Sequence, residues 1–187
     1  MKRFIFASAI ALVLPAKAHA VECGDFGPWV EAGCRHVVDT YRQGGDALLI
    51  SGYEWHIPSD WSPERRREEN EKAWGLGWAR SREQPNGDTE NVYFLVFRDS
   101  HRHAQFNLGY TWTTYWGERS GLQAGLGFSA FIFQRPDIAG GWPVPAALPV
   151  ASVRYRQAEL VVSYVPKVNA GVNHGSVLYV FGKIDLK

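Results

Sequence analysis

Residues 104–116 alternate with a period of two. Phe106, Leu108, Tyr110 and Trp112 share one face, and Asn107, Gly109, Thr111 and Thr113 share the other. Successive side chains of a strand point to opposite faces, so this is the pattern of a strand with one apolar side. Residues 121–134 repeat it, with Leu122, Ala124, Leu126 and Phe128 set against Gln123, Gly125, Gly127 and Ser129. From residue 46 onward eight extended segments can be drawn, at about 46–57, 73–83, 90–99, 104–116, 121–134, 144–156, 158–166 and 175–186. Turn-forming stretches such as Pro85-Asn86-Gly87-Asp88 and Asn169-Ala170-Gly171 punctuate them. An even number of strands this long suits an all-β fold, an eight-stranded antiparallel β-barrel. Periodicity does not say which face is inside. A soluble carrier of the lipocalin kind would turn the apolar face inward, and a transmembrane barrel would turn it outward. Glycine on the small-residue face favours the transmembrane version. So do eight tryptophans, all beyond residue 20, because Trp and Tyr gather at membrane interfaces.

The N-terminus reads as an export leader. Met1-Lys2-Arg3 is basic, Phe4 to Ala16 is apolar apart from Ser8 and Pro15, and Ala18-His19-Ala20 is a small-x-small cleavage pattern. Ala20-Val21-Glu22 lacks the small residue that a lipid-anchored cysteine at position 23 would need before it. Beyond the leader no run approaches the ~18 apolar residues of a membrane helix, so any span must be made by strands. The expected organisation is a signal peptide over 1–20, an N-terminal helical segment over 21–45 and a barrel over 46–187. Within 26–42, Trp29, Val30, Val37, Val38 and Tyr41 interleave with Glu31, Arg35, Asp39 and Arg42, which predicts an amphipathic helix ended by Gly44-Gly45. A length of 187 residues suits one domain, and a net charge of +1 gives no field that would draw nucleic acid. Cys23 and Cys34 stand eleven positions apart in an exported chain, where a disulfide is the preferred reading and two free thiols the less usual one.

Trp55-His56 and Asp99-Ser100 each lie where an apolar-alternating segment runs out into a polar loop. If both strands run the same way, a base, a carboxylate and a hydroxyl reach one rim, and a narrow barrel lets those loops converge. These are ingredients of acyl transfer. A Ser-His-Asp triad of the hydrolase kind does not follow, since neighbours in a strand point to opposite faces. His101 and His103 near Asp99 read as solvated loop residues rather than metal ligands.

The surroundings of these residues carry a resemblance. Gly52-Tyr53-Glu54-Trp55-His56, Trp74-Gly75-Leu76-Gly77, Phe97-Arg98-Asp99-Ser100, Gly125-Leu126-Gly127-Phe128 and Leu148-Pro149-Val150-Ala151-Ser152-Val153 occur in the order and spacing of the PagP-type lipid A palmitoyltransferases. The likeness spans roughly residues 25 to 187. It implies an outer-membrane barrel with the N-terminal helix at the periplasmic interface and an active site facing the exterior. It also implies transfer of a fatty acyl chain, palmitate or somewhat shorter, from a glycerophospholipid to lipid A, without cofactor or metal, by a monomer or homodimer. An outer-membrane lipid hydrolase and a non-catalytic structural or adhesion barrel are the alternatives.

By that resemblance His56, Asp99 and Ser100 match the family's catalytic trio, with the role of Ser100 (acyl-enzyme or substrate positioning) left open. Arg65 and Arg135 match basic residues, the first linked to lipopolysaccharide recognition, and arginine suits the phosphates of lipid A. Pro149 and Pro166 match prolines of two neighbouring strands, where a missing ladder donor leaves a lateral opening for phospholipid. A second such opening, between the first two strands, is not matched, because Ser51 and Ala73 stand there. The chain ends Ile184-Asp185-Leu186-Lys187 rather than on an aromatic, and the loop after Pro166 offers no clear counterpart to the family's gating aromatic. Palmitate-selective members carry glycine at the floor of the acyl chamber. Here that position is Thr111, whose branched side chain predicts a shorter chain.

Overall fold

The computed structural model describes residues 23–24, 27–168 and 173–186. The expected leader and the Asn169-Ala170-Gly171 turn lie outside them. Helix α1 (Pro28–Gln43) starts on a proline, whose absent N–H is no loss in a first turn, and ends where the Gly44 N–H reaches the Thr40 carbonyl at 2.9 Å. Cys34 on this helix is bonded to Cys23, with Cα atoms 5.7 Å apart.

Among the described residues eight strands follow: β1 (Gly45–His56), β2 (Gly75–Glu83), β3 (Thr89–Arg98), β4 (Ala104–Gly117), β5 (Leu122–Gln134), β6 (Val144–Tyr155), β7 (Ala158–Val165) and β8 (Val177–Asp185). Each pairs antiparallel with the next, and β8 pairs with β1 to close the barrel. The apolar face points outward: Phe106, Leu108, Leu126, Phe128 and Ile132 are exposed, while Asn107, Thr113, Gln123 and Ser129 are buried. Closure gives every strand a partner on both sides, which makes such a surface compatible with a bilayer. A short helix, α2 (Pro63–Glu68), lies in the β1–β2 loop, where the Ser62 hydroxyl accepts the Arg65 N–H at 3.3 Å.

One register shift decides which way the end of β1 faces. Ala47, Leu49 and Ser51 are buried, so odd-numbered side chains point inward along the first half of the strand. The pairing with β8 then steps from Ser51–Phe181 to Tyr53–Val180, leaving Gly52 as the extra residue of a β-bulge. Beyond it the parity is reversed: Tyr53 and Trp55 are exposed and His56 is buried. Without the bulge His56 would face outward.

The interior has two halves. At the end capped by α1, it is filled with charge that is paired. Lys183 and Glu159, each with a side chain 3 % exposed, stand 3.2 Å apart, and the Lys183 ammonium also reaches Ser81 at 3.1 Å and Asn91 at 3.2 Å. Arg154 donates to Gln123 and Thr89 and lies 3.9 Å from the centre of the Tyr115 ring. Glu90 accepts hydrogen bonds from Thr40 and His36 of α1, tying the helix to the mouth of the barrel. Buried ions cost several kcal/mol each in desolvation unless paired in this way. The other half is apolar and hollow.

Candidate active site

The hollow half is a cavity of about 340 Å³. Leu95, Phe97, Phe131, Leu148, Val150 and Phe181 line its walls, and Glu54, Trp61, Ser100 and Arg135 surround its mouth. An apolar chamber open at a polar rim suits a lipid tail with its ester at the mouth.

Of the three residues matched to a catalytic trio, Ser100 lines the cavity. His56 and Asp99 stand just behind its wall, each 1 % exposed. His56 closes β1 and packs against the Trp61 ring. Its Nδ1 lies 3.8 Å from Glu71 Oε1, too far for a hydrogen bond, and neither ring nitrogen has a hydrogen-bond partner among the described residues. Asp99 opens the β3–β4 turn and accepts the His103 N–H on Oδ1 at 2.6 Å. Its other oxygen faces Arg135 Nε at 3.2 Å. The structure therefore brings the three to one end of the barrel without linking His56 to Asp99.

Arg135 ends at a second carboxylate, Asp137, 2.7 Å from the same Nε. Partial burial works against charge on Asp137, but hydrogen bonding and charge from Arg135 outweigh it and hold the carboxyl below the usual carboxylate range. His101 Nδ1 lies 3.0 Å from Asp137 and its Nε2 3.5 Å from Glu69, which joins three loops over the rim. Asp99, His103 and Asp137 offer ligand atoms within 4.8 Å of one another, yet the two carboxylates already share the Arg135 guanidinium. A metal ion would have to displace that cation.

Two gaps flank the chamber. The β6–β7 ladder runs from Tyr155–Ala158 to Val150–Ser163 and stops, although β6 continues back to Val144. Pro149 is the first residue past the ladder. Pro166, expected inside the seventh strand, falls one residue beyond its end at Val165, since a residue with no N–H cannot extend the pairing with β8. Ala146, Ala147, Leu148, Val165 and Pro166 line the cavity at this gap. On the other side the β1–β2 ladder stops at Ser51–Gly75. Here Ser51 bridges the strands, donating to the Ala73 carbonyl while accepting the Tyr179 hydroxyl at 2.7 Å. Outside this second gap lies a polar cleft lined by Tyr53, Trp55, Arg66, Lys72 and Arg102. Glu69 belongs to both cleft and cavity.

Two expected positions differ in detail. Arg65 sits exposed on α2, and the next residue, Arg66, is the one that lines the cleft. Thr111 points inward but does not line the cavity. It donates to Ser129 Oγ at 3.2 Å, and Ser129 pairs with the Tyr93 hydroxyl at 2.9 Å. Ser129 and Tyr93 form the floor, and Thr111 braces it from below. Sequence reasoning passed over Glu54 and Trp61. Glu54 lines the cavity together with Glu69, Ser100 and Arg135. Simple alternation from Ala47 would have sent Glu54 outward with His56.

A closed barrel with an apolar exterior, an acyl-sized chamber and a polar reaction rim is the architecture of a membrane-embedded enzyme that works on lipid chains. Residues 36–183 match the family model described as antimicrobial peptide resistance and lipid A acylation protein PagP. The chain belongs to the PagP family. It is 35% identical to a lipid A acyltransferase PagP of Methylobacillus flagellatus over 96% of both chains. To the proteins of that name from Bordetella pertussis and Legionella pneumophila it is 33% identical over 95% of this chain and 96% of that one, and 34% identical over 100% of both. Family and fold together imply an outer-membrane protein of Gram-negative bacteria.

Proposed function

We propose that this protein is an outer-membrane acyltransferase that moves a fatty acyl chain, palmitate or somewhat shorter, from a glycerophospholipid to lipid A. The observation that carries this reading is the apolar chamber with Ser100 at its mouth, His56 behind its rim and an unladdered gap at Pro149 and Pro166 in its wall. The donor's acyl tail enters through that gap and lies in the chamber, with its ester at the rim. The acceptor hydroxyl attacks the ester carbonyl while His56 takes the hydroxyl proton. The carbon–oxygen bond to glycerol then breaks, and His56 returns the proton to the departing glycerol oxygen. Acylated lipid A and a lysophospholipid result. Ser100 positions the ester, and Asp99, held by Arg135, fixes the turn that carries Ser100.

The acceptor approaches from the outer cleft, where Arg66, Lys72 and Arg102, with Arg65 close by on α2, suit its phosphates. The rim faces the cell exterior and α1 the periplasm. Loop lengths support that orientation: three of the four connections at the rim end are long (57–74, 135–143 and 166–176, with 99–103 the short one), against 84–88, 118–121 and 156–157 at the helix end. Outer-membrane barrels keep their short turns on the periplasmic side. Residues 1–20 act as the export leader.

Mass spectrometry of lipid A from cells with and without the protein tests the reading. One added acyl chain, with lysophospholipid formed in step, supports it. Free fatty acid in place of acylated lipid A makes the protein a hydrolase, and no acyl movement leaves a non-catalytic barrel.

A further inference from the structure

A histidine that moves protons is usually held by a hydrogen bond from one ring nitrogen to a carboxylate or carbonyl, which fixes both plane and tautomer. His56 has no such bond among the described residues, and Glu71 stays 3.8 Å away. What meets the imidazole is the indole of Trp61, with ring centroids 4.7 Å apart and planes at 90°. Trp61 is 7 % exposed and is itself fixed from several directions. Its Nε1 donates to the Ser176 carbonyl at 3.0 Å, and the Ile57 N–H donates to the same oxygen at 3.1 Å. Asp60 accepts the Ser176 N–H at 3.3 Å, and the His174 ring stacks at 6.4 Å. Gly175 lies flush against the indole, so close that a Cβ there would collide with Nε1.

We infer that Trp61 is the positioning residue that sets the plane of the His56 imidazole. The inference rests on His56 being the group that moves the proton. Aromatic rings favour an edge-to-face meeting over a face-to-face one, so a fixed indole selects one imidazole orientation from several. Because the indole carries the restraint, both imidazole nitrogens stay free for the acceptor hydroxyl and the departing oxygen. The tether to Ser176 runs to the start of β8, and the Tyr164 hydroxyl of β7 meets Ser176 Oγ at 3.0 Å. The orientation of His56 is thereby linked to the strands beside the donor gap.

The test uses the full-length mature protein in detergent, with phosphatidylcholine as donor and lipid A as acceptor. Trp61→Ala, Trp61→Phe, Gly175→Ala and His56→Ala are each first checked for a heat-modifiable barrel. Trp61→Ala should lower kcat roughly tenfold or more while the donor KM stays within about twofold, the signature of an interaction needed in the transition state. Trp61→Phe keeps an aromatic edge and should restore most of that loss. Gly175→Ala displaces the indole without altering it and should reproduce the fall in kcat. If Trp61→Ala and Gly175→Ala keep wild-type kcat while His56→Ala is inactive, the positioning role is overturned and the His56 assignment survives. A change confined to KM also overturns it. Full activity in His56→Ala overturns the assignment itself.

Discussion

Arg135 holds Asp99 and Asp137 together, its Nε standing 3.2 Å from one carboxylate and 2.7 Å from the other. The turn bearing Ser100 is thus fastened to the β5–β6 loop through a nearly buried cation. Removing one member of a buried ion pair costs about 3–5 kcal/mol, because the remaining charge is stranded. Arg135→Ala should therefore lower activity by about a hundredfold and loosen the β3–β4 turn, read as faster amide exchange at residues 99–103. Lysine should rescue little, since it lacks the flat fork. The clamp also predicts a pH dependence. Asp137 is held below the usual carboxylate range, so its contribution is present above that range and is lost as pH falls through the depressed value. In Arg135→Ala the depression goes, and this acid-side loss should go with it. An unchanged acid limb would argue against the clamp.

His56→Ala should all but abolish transfer, because a general base contributes about 10²–10⁴-fold, and should leave a folded barrel, because the strand pairing there is made by backbone and not by this buried ring. Asp99→Ala and Ser100→Ala should be severely impaired. Assays of the purified variants, each paired with a heat-modifiability gel, decide this. A fully active His56→Ala protein would remove the reaction centre from this rim.

Acyl-chain length should follow the floor. Thr111 braces Ser129 and Tyr93, and just below them the polar network of Lys183, Asn91 and Glu159 begins. A methylene forced into that layer forfeits about 0.8 kcal/mol of burial and strains the packing. The wild-type protein should prefer a chain shorter than palmitate. Thr111→Gly, with the brace gone, should move the preference back toward palmitate. A panel of donors of graded length reads the outcome, and identical palmitate selectivity in both proteins would leave Thr111 without influence.

Ser51→Ala should unclasp the β1–β2 gap. The Tyr179 hydroxyl would lose its buried acceptor and the Ala73 carbonyl its donor, at a cost of about 1–3 kcal/mol. The temperature at which the folded band disappears on a heat-modifiability gel should drop. No drop would mean that water takes over both partners.

The mature protein should begin near Val21, and its mobility should change with reductant, since Cys23 and Cys34 close a short loop. Finding Met1 retained, together with two titratable thiols, would contradict this.

The strands were legible because membrane exposure enforces alternation. In β4 and β5 every apolar residue on the outward face announces itself. The rim of the first strand was legible only through its motif, since alternation counted from Ala47 gives the wrong face for His56. A bulge is a count of hydrogen bonds and leaves no residue pattern beyond a glycine. Lys183, Arg154 and Glu159 were equally opaque, because a single charge on an inward position reads like a surface charge until its partner on another strand is known. Thr111 was placed on the correct face but one layer too high, as sequence fixes parity and not depth.

Gly52 makes the chemistry of this barrel a matter of odd and even. The same residues paired straight through Gly52, with no bulge, could keep all eight strands and the same pairing order and still present His56 to lipid. The enzyme and an inert look-alike would then differ by a single step of register. A stability screen would pass both, and only an assay of lipid A would tell them apart.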